Sequence, residues 1–234
     1  MPLAQNIALV QERIAAAAKR AGRNPADVTL MAVSKTFPAK LIREAYDAGL
    51  RVFGESRVQE FVDKAESLRD LHQAEWHMIG HLQTNKSAKA AELFTTIDSV
   101  DSLRLAEKLN LSAGQLGKNL AILIETNVGG EAAKSGLPLE SPEFEKLLRA
   151  APQLEHLEFR GLMTVPPFFK DPQQTRPYFR KLRELHDQIA ARKLPNVRMD
   201  VLSMGMSHDF EIAIEEGSTC VRVGTAIFGD RASV

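Results

Sequence analysis

A lysine, Lys35, lies two residues after the end of a short and strongly apolar segment, Val28–Val33. The segment has the composition of a buried strand, so the lysine lies where water is scarce. Desolvation lowers the pKa of a lysine and makes a neutral, nucleophilic amine available. Such an amine forms a Schiff base with an aldehyde. A lysine at a strand end also extends readily to solvent, so position alone leaves both interpretations open.

Two glycine-containing segments near the C-terminus have the composition of a phosphate site. The first runs from Ser203 to Ser207, and the second is Gly224-Thr225-Ala226. Accessible backbone N–H groups and hydroxyls hold a phosphate without a basic cluster. Each segment alone is equally consistent with a helix N-cap at Ser207 and a turn at Gly224.

An arginine, Arg222, lies inside an apolar segment between Val221 and Val223, and it is expected to point into the protein. A buried guanidinium needs a partner. Because it keeps its proton, an arginine that faces a pyridine-type nitrogen of a ligand would keep that nitrogen unprotonated. A structural salt bridge is the alternative.

A polar group, His81, Gln83, Asn85 and Lys86, follows a further apolar segment and suits either ligand contact or helix capping. The remaining histidines lack metal-ligand spacing, so no metal site is predicted. The sequence has no P-loop, no GxGxxG after a strand and no GxSxG.

Eight short apolar segments alternate with helical patterns along the chain. They are Val28–Val33, Arg51–Phe53, Trp76–Ile79, Phe94–Ile97, Leu120–Ile124, Phe159–Met163, Asp200–Leu202 and Thr219–Val223. Near-continuous apolar runs are typical of parallel strands with both faces covered. The pattern predicts an α/β fold, a single (β/α)8 TIM-type barrel, with a doubly wound open sheet as the alternative. In a barrel, the candidate residues would meet at the carboxyl ends of the strands, where active sites form.

Helix signals support this organisation. Ile7, Val10 and Ile14 predict an extra N-terminal helix before the first strand. Pro38 is expected in the first turn of the next helix, and Ser141-Pro142 is expected to start another. Gly217 is expected to end the last helix in the left-handed conformation.

Length and composition restrict the class of protein. A chain of 234 residues fits one barrel, so residues 1–234 are predicted to form a single domain. The formal net charge is zero, which gives no general attraction to nucleic acid. The single cysteine, Cys220, excludes an intrachain disulfide and is expected to be a small buried residue. No signal peptide or long apolar span is visible, so we expect a soluble, cytoplasmic protein without membrane contact.

Several long motifs together resemble one family. They are AVSKT at 32–36, FGESRVQE at 53–60, WHMIGHLQTNK at 76–86, RGLMTV at 160–165 and LSMGMSHDFEIAIEEGSTCVRVGTAIFG at 202–229. In this order, and over nearly the whole chain, they resemble the YggS/PROSC family of pyridoxal phosphate homeostasis proteins. The resemblance implies a barrel similar to the N-terminal domain of bacterial alanine racemase.

The resemblance also implies a cofactor and its ligands. Pyridoxal 5'-phosphate (PLP) would form a Schiff base with Lys35, Arg222 would face the pyridine nitrogen, and the phosphate would be held by Ser207, Gly224 and Thr225. Met204 and Asn85 fall in segments that line the family's site, and Lys134 matches a family lysine without a derived role.

One segment departs from the family pattern. Ser56-Arg57 replaces the usual Asn-Tyr pair of GENYVQE, so Ser56 offers a shorter, hydroxyl-only contact at this predicted cofactor-binding position.

The resemblance implies a protein that binds and buffers PLP and delivers it to apo-enzymes that depend on it. No catalytic residue is predicted, because Tyr46 and Tyr178, the two tyrosines, both fall in helical segments rather than at strand ends. A weak PLP-dependent amino-acid racemase, with His81 or a loop lysine as base, is the alternative. A barrel enzyme that uses Lys35 like an aldolase is a third. A monomer is expected, because the chain ends soon after the last strand, without the second domain of alanine racemase that contributes to dimer contacts.

Overall fold

A closed barrel of eight parallel strands forms the centre of the computed structural model, which describes residues 2–131, 135–139 and 141–229. Each strand pairs with the next, and the last pairs with the first, which confirms the predicted (β/α)8 architecture. The strands are β1 (Thr29–Val33), β2 (Val52–Glu55), β3 (Glu75–Met78), β4 (Thr96–Val100), β5 (Leu120–Thr126), β6 (Leu157–Thr164), β7 (Val197–Met206) and β8 (Cys220–Val223).

Helices surround the barrel. They are α1 (Leu3–Arg20), α2 (Ala39–Asp47), α3 (Val58–Leu68), α4 (Ser87–Leu93), α5 (Leu103–Gln115), α6 (Pro142–Ala150), α7 (Arg176–Ala191), α8 (Phe210–Glu215) and α9 (Thr225–Phe228). The extra N-terminal helix is confirmed as α1, which buries the predicted stripe of Ile7, Val10 and Ile14. No helix in the described part of the chain is long and apolar enough to cross a membrane.

Local signals in the sequence act largely as expected. The Ser141 hydroxyl accepts the N–H of Phe144 and caps α6, with Pro142 in the first turn. Gly217 follows α8 with a φ of 104°, a conformation that suits glycine. Pro38 lies at the N-cap of α2 rather than inside its first turn. The short helix α9 follows β8, so the helix that Gly217 ends is not the last one.

Several strands extend further than their apolar segments. β7 spans ten residues and reaches Met206, and β4 begins at Thr96 and reaches Val100. Asp98, expected at the end of its strand, therefore lies inside the barrel. Glu55 and Glu125 are likewise inside β2 and β5. The sequence did not predict these continuations, because a charged residue is expected outside a buried strand. The contacts of Asp98 with His77 and of Glu55 with Ser34 form only in the folded chain.

Apolar side chains fill the layer between the barrel and its helices. The rings of Phe53, Trp76, Phe61 and Phe94 form one continuous aromatic cluster, with neighbouring centroids between 4.7 and 5.2 Å apart. Cys220 is buried as predicted, and burial raises the pKa of its thiol to about 12. Such a thiol is not a nucleophile at neutral pH.

Candidate functional site

A cavity of about 330 Å³ opens at the carboxyl ends of the strands. Ligand pockets for small molecules have volumes of roughly 300 to 1,000 Å³. The wall contains five of the predicted site residues, Lys35, Ser207, Arg222, Gly224 and Thr225. The rest of the wall is formed by Val33, Ile79, Val165, Met206 and His208. Closure of the barrel thus brings together residues as far apart in the chain as Lys35 and Thr225, which are 190 positions apart.

The turn that carries Lys35 joins β1 to α2 and has an unusual backbone. The Ser34 N–H donates to the carbonyl of Gly54 at 3.0 Å, and the Phe37 N–H donates to the carbonyl of Ser34 at 3.1 Å. Thr36 has a φ of 68°, in the left-handed region. This conformation costs an L-residue about 1–2 kcal/mol, and a β-branched residue adopts it rarely. The surrounding structure must therefore impose it.

Three charged residues, Glu55, Glu60 and Lys64, pack behind this turn, and we call them the Lys64 cluster. The Lys64 ammonium lies 3.2 Å from Oε1 of Glu55 and 2.7 Å from Oε1 of Glu60. Burial raises the pKa of Glu55, although the Lys64 charge opposes that shift. Sequence analysis assigned no role to this cluster. The four-residue spacing of Glu60 and Lys64 on a helix was the available signal.

Arg222 points into the barrel and is fully buried, as expected. One terminal nitrogen donates to the carbonyl and the hydroxyl of Ser203, at 2.8 and 2.7 Å, and the other donates to the carbonyl of Thr164 at 2.6 Å. Burial lowers the pKa of the guanidinium. Among the described residues, no carboxylate lies within ion-pairing distance of it, so neutral acceptors rather than a salt bridge hold this positive charge beside the cavity.

The Glu125 carboxyl, which directly follows the predicted segment Leu120–Ile124, is a second buried ionisable group at this end of the barrel. Its Oε2 atom forms no hydrogen bond with the described part of the chain. Burial and, to a smaller extent, the Asp101 charge raise the pKa of Glu125 to about 7, although Arg222 and His81 oppose the shift. The carboxyl is therefore poised to change charge near neutral pH.

The two predicted phosphate segments are linked directly. The Gly224 N–H donates to the Ser207 hydroxyl at 3.2 Å, and Thr225 follows at the start of α9. The Asp209 carboxylate accepts the N–H of Met206 at 2.7 Å and shapes the loop before α8. The hydroxyls and amides of these segments, the Lys35 amine and the Arg222 guanidinium together offer hydrogen-bond donors to an anionic ligand.

Three predicted site residues do not line this cavity. Met204 is fully buried in the hydrophobic core, and Ser56 lies against Gly80, where a Cβ would collide with the Ser56 carbonyl. Asn85 lines a separate depression together with His81, whose Nδ1 lies 3.1 Å from Asp101. Lys134 lies outside the described residues. The roles of these residues stay predictions.

A second cavity, of about 400 Å³, opens at the opposite end of the barrel. There Arg160 donates to both carboxylate oxygens of Asp200 at 2.8 to 3.1 Å. Nδ1 of His77 lies 2.8 Å from Oδ1 of Asp98, while Oδ2 of Asp98 forms no hydrogen bond with the described residues. Among the described residues, no group of His, Cys, Asp and Glu side chains is arranged so that it could hold a metal ion.

Comparison with known sequences gives strong similarity over the whole length. The family described as "Alanine racemase, N-terminal domain" matches residues 5–232. The pyridoxal phosphate homeostasis protein of Aquifex aeolicus is 46% identical over 231 residues, which cover 99% of this chain and 99% of the relative. The protein of that name from Escherichia coli strain K12 is 45% identical over 231 residues, covering 98% of this chain and 97% of the relative.

Solved structures agree with this similarity. PipY of Synechococcus elongatus, with PLP bound, has a TM-score of 0.84 and 37% identity, covering 97% of this chain and all of that one. A crystal structure of an unknown protein from Bifidobacterium adolescentis has a TM-score of 0.88 and 39% identity, covering 97% of this chain and 94% of that one. An alanine racemase of Clostridium difficile shares the fold, with a TM-score of 0.70 at 16% identity, and this chain spans 57% of it.

Proposed function

The chain belongs to the pyridoxal phosphate homeostasis protein family, and from that premise we propose that it binds PLP as a Schiff base on Lys35, buffers it and delivers it to apo-enzymes. The observation that carries the proposal is the single cavity that contains Lys35, Ser207, Arg222, Gly224 and Thr225. PipY, a relative with the same fold, is described with PLP bound.

The lysine would make the covalent bond. Its neutral amine adds to the aldehyde carbon, and a carbon–nitrogen double bond forms as water leaves with the aldehyde oxygen and both amine protons. When bound, PLP supplies this aldehyde and an electron-accepting ring.

The remaining wall would hold the cofactor without covalent bonds. The hydroxyls of Ser207 and Thr225 and the amides that follow Val223 offer donors to a phosphate. Arg222 would donate to the ring nitrogen. Its bonds to Ser203 and Thr164 fix the direction of the guanidinium, so little side-chain entropy is lost on binding.

A weak racemase activity is the alternative. Such an activity needs a second proton-transferring group near the cofactor. His208 is the histidine that lines the cavity, and its Nε2 lies 3.1 Å from the carbonyl of Phe169. His81, the base considered from sequence, lies in the neighbouring depression. Formation of D-amino acids above the rate of free PLP, lost in His208→Gln, would favour the enzyme.

Borohydride reduction of the PLP-loaded protein, followed by peptide mapping, tests the covalent bond. We expect the pyridoxyl label on Lys35, and we expect the visible Schiff-base band to vanish in Lys35→Ala but persist in Lys40→Ala, a change at an exposed lysine of α2. A band that survives in Lys35→Ala, or label scattered over surface lysines, would overturn the proposal.

Delivery needs a separate test. Loaded protein is mixed with an apo-enzyme that requires PLP, in the presence of a phosphatase that destroys free PLP. We expect reactivation of the apo-enzyme to persist under these conditions; reactivation that stops would mean that PLP travels only through solution.

The proposal includes a cytoplasmic setting and a monomeric state, and a dimer mass by light scattering would contradict the latter.

A further inference from the structure

The two residues that flank Lys35 are both held by the Lys64 cluster. On one side, the Ser34 hydroxyl donates to Oε1 of Glu55 at 2.8 Å, and the Lys64 ammonium lies 3.4 Å from the Ser34 carbonyl. On the other side, the Thr36 N–H donates to Oε1 of Glu60 at 2.5 Å. The turn is therefore tied to the cluster immediately before and immediately after Lys35.

The contact at Thr36 falls on the strained part of the turn. Thr36 has a φ of 68°, and a threonine adopts this conformation only when its surroundings favour it. A carboxylate that accepts the backbone N–H is a charge-assisted acceptor, which forms a stronger hydrogen bond than a neutral group does. The hydrogen bond from Thr36 to Glu60 thus stabilises the backbone conformation of the turn, which sets the direction of the neighbouring Lys35 side chain.

The lysine of the cluster is needed to keep two carboxylates together. The Glu55 side chain is completely buried and Glu60 is only partly exposed, so their negative charges would repel each other in a medium of low polarity. Lys64 lies between them, and its own side chain is 12% exposed. Burial opposes the charged form of Glu60, but the bonds from Lys64 and Thr36 outweigh it and lower the pKa of that carboxyl. Glu60 therefore stays an anionic acceptor at neutral pH.

We propose that Glu55, Glu60 and Lys64 are positioning residues, which hold the Ser34–Thr36 backbone so that the Lys35 amine is directed at the aldehyde of the cofactor. The inference deepens the proposed function and rests on it. It also gives a physical role to the Glu55 and Glu60 positions of the FGESRVQE segment, which the cavity itself does not use.

The test separates Schiff-base formation from non-covalent binding. PLP is titrated into wild type, Glu60→Ala and Glu60→Gln, and pyridoxamine 5'-phosphate, which has an amine in place of the aldehyde, is titrated in parallel. Glu66→Ala is the matched control, because Glu66 lies on the same helix with 79% of its side chain exposed. Thermal unfolding of each variant checks that it is folded.

We expect Glu60→Ala to weaken Schiff-base formation about tenfold, the value of one hydrogen bond to a charged group. Affinity for pyridoxamine 5'-phosphate should stay within about twofold of wild type, because the phosphate and ring contacts are intact. Glu60→Gln should recover part of the loss, because its amide oxygen still accepts the Thr36 N–H but forms a weaker bond than a carboxylate does. Glu66→Ala should behave like wild type.

Two results would overturn the positioning role. The first is Schiff-base formation in Glu60→Ala equal to that of wild type. The second is an equal loss of affinity for both ligands, which would mean that the cluster only supports the fold. A wild-type protein that binds pyridoxamine 5'-phosphate but forms no Schiff base overturns the proposed function, and the inference with it.

Discussion

The two mouths of the barrel both open into cavities lined by charged side chains, but the charges are satisfied in different ways. At the amino ends of the strands, Arg160 is paired with Asp200, and His77 is paired with Asp98, whose second oxygen, Oδ2, forms no hydrogen bond with the described residues. At the carboxyl ends, Arg222 donates only to neutral oxygens among the described residues, and Oε2 of Glu125 has no hydrogen bond there. The strained Thr36 also belongs to this second end.

The proposed ligand site is not in the larger of the two cavities. The cavity at the amino ends is the larger, at about 400 Å³ against about 330 Å³. Paired charges have already recovered part of their lost hydration, whereas an unpaired buried charge keeps its capacity to bind a ligand group. Uncompensated charge together with backbone strain therefore indicates the functional end, in agreement with the usual position of active sites in this fold.

The largest effect is expected at Glu125, whose pKa burial raises from 4.5 to about 7. Because the pKa of Glu125 is raised in the folded state, the protonated carboxyl makes its full contribution to the free energy of unfolding below pH 4.5. This contribution is lost as the pH rises through 7. At pH 8 the buried carboxylate should cost about 3 kcal/mol. Glu125→Gln should therefore raise the free energy of urea unfolding by up to about that amount at pH 8, but hardly at pH 4.5. An equal gain at both pH values would contradict this, and Glu44→Gln, at an exposed site, is the control.

The next effect concerns ligand binding at Arg222. Arg222→Met keeps the aliphatic stem but removes the donor proposed to face the ring nitrogen. Affinity for PLP should fall roughly ten- to a hundredfold, the range for a hydrogen bond that involves a charged group. Titration monitored by absorbance, with circular dichroism to verify folding, measures it. Unchanged affinity would mean that the unpaired guanidinium serves the fold rather than the ligand.

A smaller effect is expected for His77 at the other end. Burial opposes the charged imidazole, but the Asp98 carboxylate outweighs it and raises the pKa of His77. The pair therefore stabilises the fold fully below the ordinary pKa of 6.5 and loses this contribution as pH rises through the raised value. His77→Gln should cost about 1.5 kcal/mol at pH 6 and progressively less in alkaline solution.

Urea unfolding across the pH range measures this trend, with the exposed His72→Gln as the control. A cost that stays constant from acid to alkaline pH would show that the imidazole contributes through packing alone. It would also weaken the contrast between the amino ends, where Arg160 is ion-paired, and the carboxyl ends, where Arg222 donates to neutral oxygens.

The smallest effect is expected for Arg160→Met, the counterpart of Arg222→Met. Arg160 and Asp200 have 32% and 37% of their side chains exposed, and exposed ion pairs contribute less than about 1 kcal/mol. Unfolding free energy should change by no more than that, and PLP affinity should stay within about twofold. A clear loss of PLP affinity would show that the cavity at the amino ends takes part in binding after all.

Prediction from the sequence succeeded where a signal is local. Strand and helix order, the cap at Ser141 and the burial of Cys220 follow from neighbouring residues, and the structure confirms them. It was incomplete where polar residues continue a strand, as at Asp98 in β4 and along β7. His77, the partner of Asp98, lies on another strand, so no window of sequence around Asp98 predicts this contact.

The site divides in the same way. The sequence by itself predicted five residues that the structure places around one cavity, because an amine after an apolar strand and small residues in two late loops are visible in the chain. Only the tertiary structure decided that Met204, Ser56 and Asn85 lie outside the cavity, that Glu125 is buried without a full set of partners, and that Lys64 joins two carboxylates behind Lys35. These features depend on distances within the folded barrel. The pKa of a buried group is shifted by the groups packed around it, and a strained turn persists only where its surroundings hold it.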